Sequence, residues 1–449
     1  MSETGYSIHI APSGPLGGYI AAPPSKNYST RYILAAALAE GTSLVRRPAT
    51  NDDARALIGC CRALGAEISE ETDALRIRGV AGRPRNPGRL NPGNAGAVLR
   101  LLLAVACLVE GEIEFVTDYA QSLGKRPNEE LLAALRQLGA EAEGQGAAGR
   151  LPIRIAGGPG RVRGGGLVRV SGANSSQFLS ALLFLLPHLP EPTQVQVTGA
   201  AGGTPPVLVS QPLVHQTLEV LRVFGLAVES DFSALRFAAA GGQVGRPVER
   251  TVNADWPSAA ALLSTVAVAS GMATIYGLEA DAQGERRAEA YLTALGCAFT
   301  RPRPGELVIH SKGELRGADF NGDLATDAVL ALVAAACLAE GTSRFTGIAN
   351  LRLKECDRIR EPLEELAKLG VTARNGEDWI EITGNPAGYA GGVEVDSRGD
   401  HRVAQLLAIV GTRCAQGLTI RRAEHISKSY PGFFTDLGRL GVKVTHVAG

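Results

Sequence analysis

The stretch PPSKNYSTRY (23–32) puts Lys26 and Arg31 at the beginning of a helix. A helix start already carries unpaired N–H groups and partial positive charge, so cations there are mildly unfavourable unless an anion sits among them. Four more polar clusters fall at comparable places: GNAGAVLR (93–100), SGANSSQ (171–177), LATDAV (324–329) and GDHRVAQ (399–405). Any one of them reads as a helix cap, because Ser, Asn, Asp and Gly are preferred there. Together with Lys26, Arg31, Arg100 and Arg402 they describe a basin for several anionic groups, with Arg forks for directional grip. KECDR (354–358) adds a Lys, a Glu and an Arg within one short stretch. That is either a salt-bridged helix start or a carboxylate held beside bound phosphate, where desolvation would tune it for general acid or base work.

The elements that must position these residues recur along the chain. ILAAALAEGTSLV, LLLAVACLVEGEIEF, ALLSTVAVASGMATIYG, VLALVAAACLAEGTSRFTG and LLAIVGTRCAQGLTI each read as an apolar helix, a stopping Gly and a β-branched strand. FLSALLFLLPHLPEPTQVQVTG is a sixth copy that stops on prolines. Each is followed by an amphipathic helix ending in an apolar-Gly step, at Gly65, Gly139, Gly225, Gly296, Gly370 and Gly441. The spacing predicts six units of about 70 residues, too long for a solenoid repeat. Helices apolar on every side are buried, so the strands lie outside them. The expected fold is therefore α/β, six units of two helices and about four strands each, splitting as three plus three, with buried helices and outer sheets.

Composition narrows the partners. In 449 residues, 45 Lys+Arg balance 45 Asp+Glu and aromatics are only 5%, which argues against nucleic acid and for small ligands. The seven cysteines are odd in number and lack CxxC spacing, which fits a reducing cytoplasm. The start MSETGYSIHI has no signal-peptide pattern, and no apolar run is long enough for a membrane span. GxxxxGK[ST], HExxH, paired Cys/His ligand spacing and GxSxG do not occur, so no metal site is expected. GGPGRVRGGG (157–166) is followed by a strand-like segment and reads as a turn-forming linker.

GNAG, KRP (125–127), SSQFL, NLRLKECDR, DHR and KSYPGFF occur in the order found in the 5-enolpyruvylshikimate-3-phosphate synthase family, which the chain resembles from about residue 22 to 434. The resemblance implies transfer of the enolpyruvyl group of phosphoenolpyruvate to the 5-hydroxyl of shikimate 3-phosphate, with no cofactor. It implies a two-domain inside-out α/β barrel of six βαβαββ units, three per domain, closing on substrate, with one domain at 23–252 and the other at 1–22 with 253–449. It implies Lys26, Asn27, Arg31, Ser175, Ser176, Gln177, Ser210, Asp327, Asn350 and Lys354 for shikimate 3-phosphate. For phosphoenolpyruvate it implies Lys26, Gly96, Arg126, Gln177, Arg358, Arg402 and Lys428. Asp327 is then the candidate base for the 5-hydroxyl, and Glu355 and Lys26 the candidates for proton transfer at the enolpyruvyl methylene. A monomer is expected.

Asn27 and Ala97 depart from the family's usual Ser and Thr or Ser, and Leu213 stands where some members have Tyr. Ala97 borders the site of the family inhibitor glyphosate, so weak inhibition is the expectation. Two other readings stay open. UDP-N-acetylglucosamine 1-carboxyvinyltransferases share the Lys-Asn pair, but they carry a reactive Cys where DYAQSLGKRP has none. A non-catalytic paralogue that binds a phosphorylated metabolite is the other, motivated by the three departures.

Overall fold

The computed structural model describes residues 5–200 and 204–447. The chain forms two compact units, Pro24–Val252 and Met1–Pro23 with Asn253–Gly449, each with its own hydrophobic core. Among the described residues there are six four-stranded sheets of one topology, in which a parallel pair is extended by two antiparallel strands. In the unit beginning at Arg89–Leu90, the chain runs through the Gly96–Val105 helix into the parallel strand Gly111–Phe115. It then passes through the Glu129–Gln137 helix to the antiparallel hairpin of Glu141–Gln145 and Arg150–Gly157.

Burial follows the residue pattern. Strands such as Thr42–Arg46 alternate exposed and buried residues, giving each sheet one inner and one outer face. Trp256–Ala269, Val329–Ala336 and His401–Gly411 are buried along their whole length, and Lys26–Leu38 is buried from Asn27 onward. The second helix of each unit is narrower in its burial: Asp52–Ala63 buries Asp53, Ala54, Leu57, Ile58, Cys60 and Cys61 and leaves the rest towards solvent. This is the inside-out arrangement that the all-round apolar helices predict.

The repeats are not all continuous in sequence. The sheet around Thr42–Arg46 takes its parallel edge from Glu249–Thr251. Leu16–Ala21 pairs in parallel with Gly271–Tyr276, and Ser7–Ile10 lies antiparallel between Leu418–Arg421 and Val444–Val447. Three of the six sheets are thus completed by strands distant in sequence.

Candidate functional site

Side-chain caps start four of the buried helices. Ser25 Oγ accepts from Tyr28 N, Ser175 Oγ from Gln177 N, Asp255 from Ser258 N and Asp400 from Arg402 N. The Gly96–Val105 and Val329–Ala336 helices start without a side-chain cap bond. At these starts the structure places most of the candidate residues.

In the Pro24–Val252 unit, Lys26 Nζ lies 3.4 Å from Asp53 Oδ2, with the lysine side chain 14% exposed. Arg31 is buried: its Nε donates to Thr217 Oγ1 (2.9 Å), Nη1 to the Asn27 carbonyl (3.0 Å) and Nη2 to the Leu213 carbonyl (3.0 Å). Burial lowers the Arg31 pKa to about 10, which leaves it charged at neutral pH. Leu213, one of the departures noted in the sequence, therefore serves Arg31 through its backbone, and Asn27 does so as well.

Arg100 organises the next two helix starts. Its Nη1 donates to Gln177 Oε1 (2.8 Å) and Ser175 Oγ (3.2 Å), Nε to Asn128 Oδ1 (3.3 Å) and Nη2 to the Pro127 carbonyl (3.2 Å). Its guanidinium also stands 4.8 Å from the centroid of the Phe178 ring. Arg126 closes against Gly96 so tightly that a Cβ at Gly96 would lie 2.5 Å from Arg126 Nη1. Ser176 is buried in the first turn of its helix, and Ser210 stands in left-handed backbone (φ 52°) at the start of Gln211–Val223.

In the other unit the candidates converge on Arg358, which is 2% exposed. Its Nε and Nη2 grip Asp400 at 2.7 and 3.1 Å, Nη2 also donates to Glu355 Oε2 at 2.8 Å, and Nη1 reaches Asp327 Oδ1 at 3.4 Å. Lys428 Nζ lies 3.4 Å from Glu355 Oε1, so Glu355 sits between two cations. Burial works against the Arg358 charge, but Asp400, Glu355 and Asp327 outweigh it and hold its pKa above the ordinary arginine value. Arg402 is buried and donates to Gln405 Oε1 at 3.1 Å. Asn350 is buried in the turn Ala349–Leu353, and Lys354 follows that turn, half-buried.

Several contributors were not singled out by residue type. Asp400 was visible only as a cap in GDHRVAQ, yet it is the two-bond partner of Arg358. Asp53, Asn128, Thr217 and Glu285 gave no signal, because each gains its meaning from a residue remote in sequence. Among the described residues, no group of three or more His, Cys, Asp or Glu side chains is placed to hold a metal ion, and no helix is long and apolar enough to cross a membrane.

Six sheets of one topology around buried helices, with cations and carboxylates gathered at the helix starts, define a class: repeat-built α/β proteins equipped for anionic substrates. Residues 10–437 match the family described as EPSP synthase (3-phosphoshikimate 1-carboxyvinyltransferase). The chain is 43% identical to the 3-phosphoshikimate 1-carboxyvinyltransferase of Deinococcus radiodurans, over 98% of this chain and 96% of that one. It is 36% identical to the protein of that name from Burkholderia pseudomallei, over 97% and 95%. The solved structure of EPSP synthase from Acinetobacter baumannii superimposes with a TM-score of 0.79 at 28% identity, covering 99% of this chain and 100% of that one. The chain belongs to the EPSP synthase (3-phosphoshikimate 1-carboxyvinyltransferase) family.

Proposed function

We propose that the chain transfers the enolpyruvyl group of phosphoenolpyruvate to the 5-hydroxyl of shikimate 3-phosphate and releases phosphate, in aromatic amino-acid biosynthesis. The observation that carries this reading to particular residues is the Arg358 cluster, in which one buried guanidinium meets Asp400, Glu355 and Asp327 while Lys428 flanks Glu355.

The reaction is an addition followed by an elimination. The 5-hydroxyl oxygen bonds to C2 of phosphoenolpyruvate as its proton leaves to a base and C3 gains a proton. The tetrahedral ketal phosphate then loses C3–H and the C2–O bond to phosphate. Asp327 is the base for the hydroxyl, with its Oδ1 3.4 Å from Arg358 Nη1. Glu355 and Lys26 exchange the C3 proton, Glu355 being 6% and Lys26 14% exposed and each paired with an opposite charge. Arg126, Arg358, Arg402 and Lys428, with Gly96 and Gln177, hold phosphoenolpyruvate. Lys26, Asn27, Arg31, Ser175, Ser176, Gln177, Ser210, Asp327, Asn350 and Lys354 hold shikimate 3-phosphate. Arg31 contributes by fixing the Asn27 and Leu213 carbonyls, to which it is already bound.

Phosphate release from phosphoenolpyruvate is expected with shikimate 3-phosphate and not with UDP-N-acetylglucosamine; the opposite preference would overturn this reading. Glu355→Ala is expected to lower kcat by about a thousandfold while shikimate 3-phosphate still binds. Glyphosate is a weak inhibitor here, because Ala97 replaces a hydroxyl residue beside Gly96; half-inhibition at low micromolar glyphosate with ordinary phosphoenolpyruvate would count against that. We place the protein in the cytoplasm as a monomer; its seven cysteines, all buried free thiols, support the first part.

A further inference from the structure

Glu285 lies outside every motif above. It sits in the short turn Gly284–Arg287, is 4% exposed, and its Oε1 accepts from the backbone N–H of Asp327 at 3.2 Å. The preceding residue but one, Gln283, anchors this turn: its side chain donates to the Ala254 carbonyl at 2.7 Å and accepts from Trp256 N at 3.1 Å, tying it to the start of a buried helix. No cation lies within ion-pair distance of Glu285 among the described residues, and the ionisable groups acting on it are the carboxylates Asp327 and Asp255. Asp327, by contrast, touches Arg358. Of Glu285 and the residue whose N–H it accepts, only Asp327 touches a cation.

We propose that Glu285 is a positioning residue for Asp327: it holds the Asp327 turn through the backbone N–H, and in its neutral form it does so without placing a negative charge beside Asp327. This rests on the assignment of Asp327 as base. Burial, with smaller contributions from Asp327 and Asp255, raises the Glu285 pKa to about 7, so Glu285 is protonated below neutrality and ionises above it. Above that pH a negative charge develops beside Asp327 and disturbs its placement.

The test is the pH profile of kcat for phosphate release in the full-length enzyme and in Glu285→Ala, Glu285→Gln and Asp327→Asn. Glu285→Ala removes the acceptor and is expected to lose about tenfold in kcat, with less than twofold change in KM for phosphoenolpyruvate. Glu285→Gln keeps an acceptor oxygen and cannot ionise. It is expected to recover most of that loss and to abolish the decline in kcat above about pH 7. A role in stability alone would lower the melting temperature and leave the profile of the folded fraction unmoved. The proposal is overturned if Glu285→Gln retains the wild-type profile, or if Glu285→Ala keeps kcat within twofold. Full turnover by Asp327→Asn would instead overturn the assignment of the base, and this inference with it.

Discussion

Arg358 is a residue whose environment decides its chemistry. A guanidinium at 2% exposure is costly to bury alone, and Asp400 offsets this with two short bonds while Glu355 and Asp327 share the remaining donors. KECDR displayed Glu355 and Arg358 together, so that part was legible; Asp400 was not, because nothing local links it to Arg358. Gly96 carries a prediction at this scale. Its missing Cβ is what allows Arg126 to approach, since a methyl there would stand 2.5 Å from Arg126 Nη1. Gly96→Ala is expected to push the guanidinium aside and raise KM for phosphoenolpyruvate about tenfold, with a smaller fall in kcat, measured by steady-state kinetics. An unchanged KM would mean that Arg126 does not grip this substrate.

At the scale of elements, buried helix and sheet meet through glycines that the repeat pattern did not reveal. Gly79 and Gly384 each follow the last strand of a repeat and press on a buried helix's final carbonyls. A Cβ at Gly79 would lie 2.2 Å from Ala39 O and 2.4 Å from Ala36 O, and one at Gly384 2.3 Å from both Ala336 O and Ala339 O. These are backbone contacts that cannot yield. Gly79→Ala is therefore expected to destabilise by about 3 kcal/mol in urea unfolding. Gly59, an exposed glycine inside the Asp52–Ala63 helix with nothing within 4 Å of its Cβ position, is the control. Gly59→Ala is expected to stabilise by up to about 1 kcal/mol. Gly41, Gly111, Gly271, Gly341 and Gly417, expected from sequence to stop the buried helices, all adopt positive φ, but the helices end before them, at Leu38, Val105, Ala269, Ala336 and Gly411, and each glycine stands at the turn into the following strand.

For the whole molecule, strand exchange sets which pieces can fold. Residues 24–252 contain every strand of their three sheets, including the Glu249–Thr251 edge, and one core. Expressed alone, this unit is expected to unfold cooperatively in urea. Residues 253–449 alone are expected not to fold, since Gly271–Tyr276 and Leu418–Arg421 would lose Leu16–Ala21 and Ser7–Ile10. A cooperative transition for 253–449 by circular dichroism would refute this. What the sequence determined by itself is what depends on near neighbours: apolar helices, the positive-φ glycines that lead into the strands, the strand alternation, six repeats and the motif residues. These follow from backbone preference and periodic burial, which act over a few positions. Only the tertiary structure decided which strand closes which sheet and which charge answers which: Asp400 for Arg358, Gln177 for Arg100, and Glu285 for the Asp327 backbone. Those choices depend on distances between residues far apart in the chain, and a burial pattern that says a residue is inside does not say what it faces there.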